Sequence, residues 1–106
     1  MASINELTIQ GHVGKDPEFK DFENGQQMRF PVAVSRIFKD KGGNLKEVTD
    51  WFKVVVSPRL SKSLNGSIKK GIEVQVKGSV GLEQWQGDDG ARHAQMKVVA
   101  RSVTVA

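Results

Sequence analysis

The chain has 106 residues, 38% hydrophobic and 26% charged, with a net charge of +4. That length supports one hydrophobic core and is short for a second, and the modest basic excess permits an anionic partner without requiring one. Cysteine is absent, which excludes disulfides, thiolate metal sites and cysteine nucleophiles, and neither a signal-peptide pattern nor an apolar run of roughly 20 residues is present, so a soluble, cytoplasmic protein is expected.

Turn signals divide the chain into five predicted strands. Ile4–Val13 is the first, closed by Gly14 and the turn-forming Asp16-Pro17. Phe19–Phe22 reads as a short extension, and Glu23-Asn24-Gly25 turns the chain into the second strand, Met28–Ile37, rich in β-branched residues and carrying Arg36 near its end. Phe38–Glu47 is a hydrophilic loop with Lys39, Lys41 and Lys46 around a Gly-Gly-Asn turn. In the third strand, Val48–Ser57, Trp51 and Lys53 stand two apart and share a face, while Phe52, Val54 and Val56 take the opposite, core side. Ser57-Pro58 supplies a hydroxyl N-cap and a proline for the first helical position, so Arg59–Asn65 is a helix of one to two turns, with Leu60 and Leu64 on one face and Gly66 as its cap. Lys69-Lys70-Gly71 turns into the fourth strand, Ile72–Trp85, whose Ile72, Val74, Val76, Val80 and Leu82 alternate. A Gly-Asp-Asp-Gly hairpin within residues 86–91 leads to the fifth, Arg92–Val105.

Three strands, a short helix and two more strands is the order of the OB-fold, so residues 1–106 are expected to form a single all-β domain with that partly open five-stranded barrel. Its strand 2–3 face, flanked by the loops after the first and fourth strands, binds oligonucleotides or sugars. Here that face is expected to carry Arg36, Trp51 and Lys53, with Trp85 just before the last loop. Cations neutralise phosphates and an aromatic ring accepts any base, so Phe38, Trp51 and Trp85 among lysines predict single-stranded nucleic acid bound with little sequence preference. The competing roles are burial of Trp51 in the core and packing of Phe38 against the barrel rim. His12, His93 and Asp88-Asp89 have no recognised ligand spacing, Ser35, Ser57 and Ser61 lie in no nucleophile motif, and no glycine loop follows a phosphate-binding pattern. Neither a metal site, a cofactor nor catalysis is expected.

The chain resembles the bacterial single-stranded DNA-binding protein family over nearly its whole length. The resemblance runs through Asn5 to Gly11, Gly14-Lys15-Asp16-Pro17-Glu18, Asn24-Gly25, Phe30, Val32-Ala33-Val34, Phe38-Lys39-Asp40-Lys41, Thr49-Asp50-Trp51, Val54-Val55, Leu60, Lys69-Lys70-Gly71, Val76, Gly78 and Trp85. It implies an OB-fold homo-oligomer, tetramer or dimer, that wraps single-stranded DNA in replication, recombination and repair at the nucleoid, with Ile4–Val13 pairing across a dimer axis. Phe38, Trp51 and Trp85 match three stacking positions of the family, and Lys53, Lys39, Lys41 and Lys20 match basic ones. The fourth stacking position falls on Ser57, which cannot stack. Gly81-Leu82-Glu83-Gln84 replaces a usually basic strand, Glu6 stands where lysine is common, and Glu73 and Phe52 depart from common choices near subunit contacts. A weaker or rerouted DNA track is therefore expected.

The family continues into a disordered linker and an acidic tip that recruits repair and replication enzymes. This sequence stops at Val105-Ala106, so the expectation is a tail-less relative, or a core whose tail was removed, without acidic-tail recruitment. The alternative is a dimeric adaptor resembling the primosomal replication protein PriB, bridging single-stranded DNA and a replication enzyme.

Overall fold

Valine dominates the interior. In the computed structural model, which describes residues 3–64 and 66–106, Val13, Val32, Val54, Val56, Val74, Val76 and Val98 are fully buried with Met28 and Phe30. Their period-two spacing turns one side of each strand inward, and β-branched side chains pack well on a pleated surface. Phe52 lies half-buried against this cluster, as do Leu60 and Leu64 of the helix region.

Six strands and one helix follow in the order β1 (Leu7–Val13), β2 (Glu18–Phe22), β3 (Gly25–Lys39), β4 (Leu45–Val56), α1 (Pro58–Ser63), β5 (Glu73–Gln86) and β6 (Arg92–Val105). The hydrogen-bonded order is β1-β5-β6-β4-β3-β2, and β1 also pairs with β3 at His12–Ala33 and Val13–Val32. That second pairing closes β1, β3, β4, β6 and β5 into a five-stranded barrel; all its neighbours are antiparallel except β4 and β6, which run parallel. The fold is the expected OB-fold. A bulge between Lys77 and Gly78 bends β5 where it wraps the barrel, and a Cβ on Gly78 would lie 2.0 Å from the Val99 carbonyl oxygen, so only glycine fits there.

Four differences from the sequence expectation have physical causes. Residues 4–6 are not strand: the Asn5 side-chain amide donates to the Val80 carbonyl and accepts from the Val80 amide, at 2.7 and 2.8 Å, standing in for backbone pairing. Residues 18–22 form a full edge strand, paired from Glu18–Arg29 to Phe22–Gly25. The long loop shrinks to residues 40–44, because β3 and β4 stay paired out to Lys39–Leu45. The Asp40 carboxylate accepts from Gly42 and Asn44 amides at 2.9 and 3.0 Å and pins the turn. Finally, α1 keeps the expected Ser57 N-cap and Pro58 start but ends at Ser63, with Leu64 rather than Gly66 as its C-cap, its amide bonded back to the Leu60 and Ser61 carbonyls; Asn65, the expected last helical residue, lies outside the described residues.

The β3–β4 and β5–β6 hairpins run on past the barrel as two arms, and the molecule measures 54 × 40 × 37 Å. Among the described residues, no helix is long and apolar enough to cross a membrane.

Candidate nucleic-acid interface

Trp51 sits opposite Ala33 on the outer face of the β3–β4 sheet, the face away from Val32, Phe52 and Val54. It is 62% exposed, which removes the core alternative. Its ring rests on Gly14: a Cβ there would lie 2.3 Å from the indole Cζ3 and 2.8 Å from Cη2. The indole thus has one face seated on backbone and a large surface open to solvent, the geometry needed to stack a base. Lys53, two residues on, shares this face.

Arg36 and Phe38 do not. Arg36 pairs with Val48 and Phe38 with Lys46, an odd number of residues from the Ala33–Trp51 pair, so Arg36, Phe38 and Lys46 project from the opposite side of the ribbon. The expected set of Arg36, Trp51 and Lys53 on one face is corrected to Trp51 and Lys53 alone. Arg36 is held instead by Asp50, at 2.6 Å. Phe38, read as a loop residue, ends a strand and is 45% exposed. Lys39 returns to the Trp51 side, Lys41 lies in the pinned turn, and Lys46 stands 4.0 Å from Asp40. Lys20 is on β2, its ammonium 5.6 Å from the Phe22 ring centroid.

Trp85 reaches the same neighbourhood from β5. Lys53, Glu83, Gln84, Trp85 and Gln95 line one shallow depression, in which Trp85 is 47% exposed. Its indole stacks on His93, the cross-strand partner, with centroids 5.5 Å apart and planes at 22°. Glu83, on the Trp85 side of β5, crosses to the β3–β4 sheet, accepting from Lys53 at 2.5 Å and from Arg29 at 3.2 Å. The Lys53 hydrogen bond, aided by the charges of Lys53 and Arg29 and opposed by partial burial, holds the Glu83 carboxyl below the usual carboxylate range. Arg29 also donates to Gln27 at 2.8 Å.

Sequence reading passed over Gly14 as a seat, Arg29 as a basic group of the outer face, and Glu83 as the clamp between strands. Arg29 alternates with buried Met28 and Phe30, which is a usable signal. Among the described residues no cluster of three or more His, Cys, Asp or Glu side chains could hold a metal ion.

Comparison with known proteins fits this geometry. The model of the "Single-strand binding protein family" matches residues 4–106. The chain belongs to that family. It is 35% identical over 83 residues to single-stranded DNA-binding protein 1 of Chlorobaculum tepidum, covering 77% of this chain and 51% of the relative. With the single-stranded DNA-binding protein of Neisseria meningitidis it shares 29% identity over 102 residues, covering 95% and 59%. The chain therefore spans between half and three-fifths of these relatives' length. In fold it is similar to the Plasmodium falciparum SSB in complex with ssDNA, with a TM-score of 0.90 at 23% identity over 100% of this chain and 97% of that one. A small single-stranded DNA-binding protein from Streptomyces coelicolor gives 0.76 at 24% identity, covering 100% and 96%. As a single-strand binding family member, this chain sets Trp85 in a depression lined also by Lys53, the neighbour of Trp51 on the outer face, and divides its cations between two faces of an arm.

Proposed function

We propose that this protein is a non-catalytic, largely sequence-independent binder of single-stranded DNA, serving replication, recombination and repair in the cytoplasm as a homo-oligomer. The observation that carries the reading is the open indole of Trp51, seated on Gly14 and flanked by Lys53, in a member of the single-strand binding family. Bases stack on Trp51, Trp85 and Phe38, while Lys53, Lys39, Lys41, Lys46, Arg36 and Lys20 neutralise phosphates. The division of the β3–β4 arm into two faces supports a strand that passes round the arm rather than along one side, with Phe38 and Arg36 met after Trp51. Titrating the 106-residue protein with oligo-dT tests this. Tryptophan emission is expected to quench, and log affinity to fall against log salt with a slope of about −0.7 per phosphate contacted. Unquenched emission at low salt overturns the reading. The dimeric adaptor alternative is not favoured, since the family match extends over residues 4–106.

A further inference from the structure

The edge strand β2 presents an aromatic that none of the roles above uses. Pairing decides where it points. Phe19 lies opposite buried Met28 and so faces the core side; Lys20, opposite Gln27, and Phe22, opposite Gly25, face the other way. Arg29 and, across β4, Lys53 and Trp51 belong to this same outer face. Beyond the last β3–β4 pair, Met28–Val56, the face continues with the polar pair Lys20–Gln27 across β2 and β3. Among the described residues of β2, β3 and β4, the next aromatic on this face beyond Lys53 and Arg29 is therefore Phe22.

Phe22 is 45% exposed and stands outside the buried core cluster. A ring so placed contributes little to the barrel and leaves apolar surface in water. The Lys20 ammonium lies over the ring, 5.6 Å from the centroid, so a π-surface for a base and a cation for a phosphate stand together. On β2 one carboxylate, Glu18, shares the face, directly opposite Arg29, and Glu83 of β5 reaches the same face to accept from Lys53 and Arg29.

We infer that Phe22 and Lys20 form a further nucleotide-stacking platform, carrying single-stranded DNA from Trp51 past Lys53 and Arg29 onto the edge strand. The inference rests on the proposed DNA-binding function, and its test separates the two. The full chain, Phe22→Ala, Phe22→Leu and Phe22→Trp are compared for binding to oligo-dT of about 4 and about 16 nucleotides, the span of sites one OB-fold offers. The Ala and Leu variants are expected to lose about fivefold or more in affinity for the long oligomer and nothing for the short one. Leucine keeps the apolar bulk, so an equal loss identifies the π-face as the contributing feature. Phe22→Trp is expected to keep wild-type affinity and to add emission that the long oligomer quenches. Thermal unfolding checks the barrel; should the Ala variant unfold, the Leu and Trp variants carry the test. Wild-type affinity of Phe22→Leu for the long oligomer, or unquenched emission from the new indole, overturns the inference while binding through Trp51 stands. Unquenched emission from the wild-type protein would instead remove the function beneath it.

Discussion

The two arms that leave the barrel look alike and are equipped differently. Each is an antiparallel hairpin with a tight, glycine-bearing turn and an exposed aromatic. Between residues 36 and 50 the β3–β4 arm carries four cations, Arg36, Lys39, Lys41 and Lys46, against Asp40, Glu47 and Asp50. Between residues 81 and 97 the β5–β6 arm carries three carboxylates, Glu83, Asp88 and Asp89, against Arg92 and Lys97. Trp51, at the root of the first arm, rests on bare backbone; Trp85, on the second, is already stacked on His93. The first arm thus offers both terms of nucleotide binding, ring and cation. The second offers a ring, and its Glu83 engages Lys53 and Arg29.

Removing a ring breaks the comparison most directly. Trp51→Ala is expected to weaken oligo-dT binding by about 1–3 kcal/mol, whatever the base sequence, in a competition titration with labelled oligomer. The corresponding change at Trp85 is expected to cost less, because His93 and the nearby carboxylates already occupy its surroundings. Equal losses would erase the asymmetry between the arms. Gly14→Ala comes next. Its Cβ meets the indole at 2.3 Å, so the ring must swing off its seat, and about a fivefold loss of affinity is expected. Since the indole is exposed, the barrel's Tm should hardly move while the near-ultraviolet circular dichroism changes.

Glu83→Gln sharpens the electrostatic half of the contrast. It frees Lys53 and Arg29 for phosphate, so affinity at low salt is expected to rise about threefold. Stability should fall by about 0.5–1 kcal/mol at neutral pH, measured by denaturant unfolding. The sign with pH follows from the lowered carboxyl pKa. Glu83 binds a proton less readily in the folded protein than in the unfolded chain, so its contribution is full above the ordinary carboxylate range and vanishes as pH falls through the lowered value. Wild type and variant should converge in stability at acid pH; a gap that persists there would assign the effect to packing.

Much of the fold was legible because one side of every barrel strand repeats with period two, and the buried valines announce it. The exposure of Phe38, Trp51 and Trp85 was legible for the converse reason: each has a polar or charged neighbour in the chain. What the chain order could not express is register. Whether Arg36 shares a face with Trp51 depends on which residue of β4 it opposes, and the observed Arg36–Val48 pair turns it away. The Glu83 clamp joins residues 30 and 54 positions apart, and only closure of the barrel brings them together. The seat at Gly14 is likewise a tertiary fact, since a glycine after a strand reads as a turn until an indole is found lying on it.

The smallest expected effect concerns the stack that distinguishes Trp85. His93 covers one side of the indole, and a Cβ on Gly87 would lie 2.7 Å from the imidazole Nε2, so the histidine is wedged at the arm's tip. Two consequences of His93→Ala oppose each other. A second ring face opens to a base, while the indole loses an aromatic contact of about 0.5–1.5 kcal/mol that fixes its orientation. On the proposed route a passing strand lays its base on the face already open, so the newly bared side is expected to gain nothing and the loss of order to decide. Affinity should fall by about twofold, within the range of such a pair. The sequence holds two tryptophans, so in a Trp51→Phe background quenching of emission reports Trp85 alone. Tighter binding in that experiment would mean that the imidazole holds the place of a base, which displaces it when the strand arrives.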